Sequence, residues 1–279
     1  MRRLSIFAVL PVAVLLVAAT AHATPSKPVR RPPVVVALVV DQLGAWIADE
    51  RWPLLPATGG FARLRREGTW AHSLVYPYAV SDTAPGHAAL FTGAVPRDSG
   101  IFGNEVVDDS GKRLAIVRDP TTHVLASDGP RALPSSSLRA LRVPTLADAL
   151  RAAKPDATII ALSLKDRAAL MGGGRHPTAA LWFDTSLGRF ATSTAAMRAF
   201  PEWALPIVGP DFLRAQVARV WQPLDTAFIA AHAATPDAQP GEADLDGFGT
   251  TFPHTLAAAA DPARAFRATP FADEALLAL

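Results

Sequence analysis

The chain has 279 residues, half of them hydrophobic, enough for one large or two small domains with a sizeable core. It contains no cysteine, which excludes disulfides and thiolate zinc ligands. Its 27 lysines and arginines stand against 25 acidic residues, a near-neutral balance that carries no basic nucleic-acid footprint.

The chain begins Met1-Arg-Arg3, continues with the apolar run Leu4–Ala19 and reaches Ala21-His-Ala23. That is the layout of a secretory signal peptide cleaved after Ala23. The apolar run is short for a membrane span and no later stretch could serve as one. The expectation is export to the periplasm or the medium, with no membrane attachment after cleavage. Without Arg2 and Arg3, basic and acidic residues are equal in number. Thr24–Pro33, with prolines at 25, 28, 32 and 33, reads as an extended linker.

Val34–Val40 is a continuous, mostly β-branched run, as expected of a strand buried on both faces of a parallel sheet. It ends on Asp41, at the strand end where open α/β sheets bind ligands. From position alone, Asp41 is equally well a residue that caps the next turn. Gly59–Gly68 reads as a helix with Phe61 and Leu64 inward and arginines outward. Trp70–Tyr76 reads as a second strand. It leads to Ser81-Asp-Thr-Ala-Pro-Gly-His-Ala-Ala-Leu-Phe-Thr-Gly93, in which Pro85 and Gly86 mark a helix start and Gly93 its C′ stop. Thr83 then lies at or just before a helix N-terminus, where free N–H groups and the dipole favour an anion. A threonine there is more commonly only an N-cap.

Glu105–Val117 reads as a hairpin turning at Asp109-Ser-Gly111. Val143–Ala153 reads as a helix capped by Thr145, with Leu146 and Leu150 at i, i+4. Ala157–Ser163 is the next buried strand, and Ala179–Asp184 with Gly188–Thr194 another hairpin. The alternation predicts an α/β fold with a mostly parallel central sheet. Pro201–Pro240 mixes amphipathic helix with proline-punctuated loop, and about 200–260 reads as an accessory or lid segment. Pro270–Leu279 reads as the first turns of a helix that stops with no cap.

The pieces Val-Val-Asp41-Gln, Thr83-Ala-Pro-Gly-His-Ala, Thr-Gly93, Gly-Ile-Phe-Gly-Asn104 and Ser163-Leu-Lys165-Asp-Arg167-Ala resemble the alkaline phosphatase superfamily. The nearest branch is the periplasmic, phosphate-irrepressible alkaline phosphatases, related to nucleotide pyrophosphatase/phosphodiesterases. The likeness runs from about Val34 to the end of the chain, with order and spacing carrying it.

This resemblance implies an alkaline-phosphatase-like α/β/α catalytic domain over 34–279. It implies that Asp41 is a zinc ligand and that Thr83 is the nucleophile bound to the same zinc, one of two zinc ions in a complete site. Asn104 would donate to a phosphoryl oxygen, and Lys165 and Arg167 would contact the others. The residue types suit that chemistry. A threonine hydroxyl is a weak nucleophile that metal coordination can activate, and charge on a transferring phosphoryl group needs donors aimed at it. Lys165 and Arg167, two apart on an extended segment, would point to one face. Arginine can grip two oxygens while lysine acts as a point charge, and the pair suits a monoester dianion better than a diester. His87 reads as a structural histidine, not a ligand.

The resemblance also calls for an Asp-x-x-Gly-His motif, an Asp-His pair and a further His, which this sequence lacks. Asp119-Pro-Thr-Thr-His123 has a ligand-like interval, but Pro120 and two threonines argue against a helical turn, so it is a decoy. His176, His232 and His254 stand alone. The expectation is the amino-terminal portion of a longer, monomeric phosphate monoester hydrolase, with a phosphothreonine intermediate and little activity in this chain. The alternatives are a phosphodiesterase or nucleotide pyrophosphatase, and a non-catalytic relative. A sulfatase would use a modified Cys or Ser, and a phosphoglycerate-mutase-like relative a serine nucleophile.

Overall fold

The computed structural model describes residues 34–71, 74–233, 235–244 and 247–279. The signal peptide and linker read from the sequence lie outside the described residues. The chain divides into two compact units after Pro56.

In the first unit Val34–Val40 is no strand: it is extended and solvent-exposed, with Val35 83% accessible. This corrects the expectation of a buried strand. An apolar run becomes a strand only by pairing, and no described segment pairs with it. Asp41 and Gln42 then form a turn in which Gln42 takes φ +66°, the left-handed region that L-residues seldom occupy. Helix α1 (Ala45–Arg51) follows, and a single 3₁₀ turn, Trp52–Leu54.

The second unit opens with α2 (Gly60–Glu67), whose Phe61 and Leu64 are exposed rather than inward. Residues 72 and 73 lie outside the described residues, and the rest of the expected strand at 70–76 forms none, Leu74 and Val75 being 81% exposed. Helix α3 (Thr83–Thr92) ends on Gly93 in the left-handed conformation, as its sequence signals demand. The short α4 (Pro96–Ser99) leads to an antiparallel hairpin of β1 (Glu105–Val107) and β2 (Arg113–Ala115), turning at Gly111.

Two long strands, β3 (Arg118–Ala126) and β4 (Gly129–Ser136), pair antiparallel with a bulge after Asp119. Helix α5 (Leu146–Ala153) carries the expected Thr145 cap as a full capping box with Asp148, although Leu146 and Leu150 face solvent and Ala147 is buried. Then come β5 (Ile160–Ser163), α6 (Asp166–Gly173), β6 (Ala179–Asp184) and β7 (Arg189–Ser193). The accessory stretch holds α7 (Leu205–Val208), α8 (Phe212–Val217), β8 (Val220–Trp221), α9 (Thr226–His232) and β9 (His254–Thr255). Helices α10 (Pro262–Arg267) and α11 (Pro270–Ala278) close it. Among the described residues no helix is long and apolar enough to cross a membrane.

The central sheet runs β4-β3-β7-β6-β5. The α/β class holds, but the sheet is mixed rather than mostly parallel. Only β5 and β6 pair parallel among the described strands, because the other members come from hairpins. Strand alternation on β6 builds a core on each face. Leu181 and Phe183 enter one with Phe190, Phe212 and Phe266. Trp182 enters the other with Ala84 and Ala88 of α3 and Leu170 and Met171 of α6.

Asp119 and His123 lie on β3 rather than on a helical turn, Asp119 4% exposed and His123 facing solvent. Asp119 locks the bulge. Its carboxylate accepts from Ser137 Oγ at 2.6 Å, Thr121 Oγ1 at 2.6 Å and Thr121 N at 3.0 Å. The Ser137 hydroxyl, then Thr121, hold its carboxyl below the usual range against the opposing effect of burial. A group depressed on folding stabilises the chain above its unfolded pKa of about 4 and loses that contribution as pH falls through the folded value. Asp119→Asn is therefore expected to cost about 1–3 kcal/mol near pH 7, where the carboxylate is ionised. The gap to the wild type should narrow below about pH 4, which urea midpoints at neutral and acid pH will read.

Candidate active site

Helix α3 is positioned by its small residues. Ala84 and Ala88 are fully buried against α6, where any larger side chain would push the two helices apart. Pro85 is tolerated because it lies in the first turn, where no intrahelical N–H is lost. Thr83 is thereby fixed at the first helical position, not at the cap, which is Asp82. Its carbonyl accepts from His87 Nδ1 at 2.8 Å, and His87 is buried. His87 thus braces the turn, as read from the sequence.

Lys165 is the residue before α6, which packs against α3 in the second core. Its Nζ donates to Thr83 Oγ1 at 3.2 Å, a bond between residues 82 apart in sequence. Asn104 is held at both ends of its residue. Its carbonyl accepts from Ile116 N at the base of the β1–β2 hairpin, at 2.9 Å. Its Oδ1 accepts from Ala84 N at 2.9 Å, which orients the amide so that its NH₂ group remains the donor. The helix end is therefore less open than its sequence implies. Ala84 N is spent on Asn104, Pro85 has no N–H, and Gly86 N donates to Asp82 O.

Lys165 and Arg167 are not on one extended segment, as expected from their spacing. Lys165 is the extended residue before α6, and Arg167 is already in the first helical turn. The helix begins there because Ala168–Met171 is an apolar face buried in the core. The same-face argument from strand geometry thus does not apply. A different device holds Arg167. Asp166 Oδ1 accepts from Arg167 N at 2.7 Å and lies 3.7 Å from Arg167 Nη1, while Asp166 Oδ2 accepts from Ser136 Oγ at 2.5 Å. Arg167 Nε is buried with no hydrogen-bond partner among the described residues.

Sequence reasoning gave Asp166 and Ser136 no role. Asp166 stood unremarked between two noted cations, and Ser136 in a run of three serines. Asp41 belongs to the first unit, where it closes the extended run and opens the Gln42 turn.

A model of the type I phosphodiesterase/nucleotide pyrophosphatase family matches residues 35–245. The chain belongs to that family. Within the wider alkaline phosphatase superfamily it is 33% identical over 232 residues to alkaline phosphatase PhoV of Synechococcus elongatus, covering 81% of this chain and 41% of PhoV. It is also 33% identical to alkaline phosphatase PafA of Elizabethkingia meningoseptica, over 76% of this chain and 39% of PafA. A crystal structure of wild-type PafA superposes with a TM-score of 0.72 at 30% identity, covering 86% of this chain and 46% of that one. A PafA variant altered at a threonine, an asparagine, a lysine and an arginine superposes with a TM-score of 0.75 at 28% identity, over 86% and 47% of the two chains. The family member described here thus spans about 40% of the length of these curated relatives.

Among the described residues no three His, Asp, Glu or Cys side chains gather into a metal-holding group. A zinc ion needs three or four such ligands. The described residues do not fit the two zinc ions implied by the family resemblance.

Proposed function

We propose that this chain carries the nucleophile and the phosphate-binding residues of an exported phosphate monoester hydrolase. The observation that supports it most is the 3.2 Å bond from Lys165 Nζ to Thr83 Oγ1 at the start of a buried helix. An ammonium beside a hydroxyl favours its alkoxide, which is the nucleophilic form. Thr83 Oγ would attack phosphorus, forming a phosphothreonine as the ester P–O bond breaks and the alcohol leaves with a proton. Water would then cleave the phosphothreonine and release phosphate. Asn104, whose amide NH₂ is oriented by Ala84 N, would donate to one phosphoryl oxygen, and Lys165 and Arg167 would neutralise the others. The altered threonine, asparagine, lysine and arginine of the PafA variant are the same residue types in the same order, which supports this assignment. Asp41 would be one metal ligand, which by itself does not complete a metal site.

A diesterase is the second reading, favoured by the description of the matching family. Rates on an aryl phosphate and on a bis-aryl phosphate, measured with the protein expressed from its full gene, separate the two. Marked preference for the diester would overturn the monoesterase assignment. A monoester dianion carries one more charge than a diester, so Lys165→Ala combined with Arg167→Ala should shift the monoester-to-diester rate ratio toward diesters by about 10²-fold. An unchanged ratio would mean that the two cations do not read phosphate charge.

A further inference from the structure

The accessory stretch holds an aromatic cluster that shares no residue with the phosphoryl site. Strands β8 and β9 pair Trp221 with His254. Three aromatic rings surround that of His254: Phe252 at 4.7 Å, Phe248 at 4.8 Å and Trp221 at 5.1 Å between centroids. Beside it lies an open cleft of about 240 Å³, lined by Trp221, Phe248 and His254 together with Glu242 and Thr250.

Aromatic rings gathered on a two-stranded ribbon are ordinarily a small core, which such a ribbon needs for stability. His254 does not fit that explanation. It is 8% exposed, and its Nδ1 lies 3.2 Å from Phe248 O. A carbonyl only accepts, so Nδ1 carries the proton and Nε2 of the neutral ring is left as an acceptor. Among the described residues nothing donates to Nε2. A buried acceptor without a donor costs stability, and phenylalanine would fill similar space without that cost. Glu242 is exposed at the same cleft. Its Oε2 accepts from Gln239 N at 3.3 Å, and among the described residues it makes no ion pair. The cleft thus sets two acceptors, one of them charged, among aromatic rings, and no lysine or arginine lines it.

We propose that this cleft is a separate binding site for a guanidinium group. A guanidinium is planar, stacks on aromatic rings and donates through several N–H groups in its own plane. One edge can meet the Glu242 carboxylate while a further N–H meets His254 Nε2. A quaternary ammonium would suit the rings and the charge, yet it would leave Nε2 without a donor. The cleft is smaller than the roughly 300 Å³ at which drug-sized ligand pockets begin, so its ligand is compact.

The probes are methylguanidinium, its neutral isostere N-methylurea, and tetramethylammonium, titrated into the full chain labelled with 15N-histidine and followed by NMR. Methylguanidinium should bind with a Kd of about 1 mM, the scale of a ligand with few heavy atoms, and about tenfold tighter than either of the others. Binding should move the Nε2 resonance of one histidine, and that resonance should be missing from His254→Gln. Glu242→Gln alters an exposed side chain, so the fold should survive while methylguanidinium weakens by about tenfold. Equal affinity for N-methylurea, or an affinity for methylguanidinium that Glu242→Gln leaves unchanged, overturns the site. So does binding that moves no histidine Nε2 resonance, or no binding at all. Agmatine binding more tightly than N-acetylarginine amide supports a free guanidino compound as the occupant, and the reverse order supports an arginine side chain of a peptide.

Discussion

Thr83→Ala is expected to lower the rate of aryl phosphate hydrolysis, by the protein expressed from its full gene, by about 10³-fold or more, a loss of about 4 kcal/mol in transition-state stabilisation. The variant removes one methyl-sized group and one oxygen at a half-buried position, and leaves the Gly93 stop and the packing of Ala84 and Ala88 intact. The fold should therefore survive. What disappears is the oxygen that accepts from Lys165 Nζ. Thr83→Ser keeps that oxygen and should retain a measurable fraction of the rate, since only the stiffening methyl is lost. Phosphate affinity gives the control. Asn104 and Arg167 remain in place, so binding should weaken far less than turnover, and the loss should appear in kcat. Acid quenching during turnover should leave a phosphorylated peptide containing Thr83 in the wild type and none in Thr83→Ala. Thr83→Ala retaining more than about a tenth of wild-type kcat would rule out the hydroxyl as nucleophile, because no general acid or base effect that small marks a covalent step.

The parts of this fold that were legible in the sequence are those fixed by local chemistry. Gly93 takes φ +69° because a helix end needs that conformation and glycine adopts it freely. Thr145 and Asp148 close a capping box within four residues, and the Gly111 and Gly188 turns set two hairpins. The parts that were not legible depend on what lies across the chain. Val34–Val40 carries a strong strand pattern, yet a pattern supplies no partner. Phe61 and Leu64 have helical spacing, which identifies a face but not what covers it. At the candidate site, the residue types Thr83, Asn104, Lys165 and Arg167 were readable by motif. Their geometry was not. The spacing of Lys165 and Arg167 suggested one strand face, whereas the buried Ala168–Met171 face draws Arg167 into a helix. The Asp166–Ser136 clamp joins segments 30 residues apart, beyond the reach of any periodicity.

The second large effect concerns the aromatic core. Phe190 on β7 is fully buried, edge-on to Phe183 at 5.6 Å and to Phe212 at 5.7 Å. Phe212 in turn lies 5.4 Å from Phe266, so one aromatic chain links the central sheet to α8 and α10. Phe190→Ala should cost about 3–5 kcal/mol, the transfer term plus the cavity left in a packed interior. Strand β7 cannot close that cavity by moving, because β3 and β6 pair with it on either side. The helices packed on the cluster, α7, α8, α10 and α11, lie outside the sheet, and a collapse into the cavity can come from any of them. Denaturant midpoints will read the loss, and Phe190→Leu, which retains most of the volume, should cost about 1.5 kcal/mol or less. The two outcomes carry different messages for α10. A full loss means that the cluster is rigid and holds α10 against the sheet. A loss below about 1 kcal/mol means that the helices around the cluster, α10 among them, move inward to fill the space.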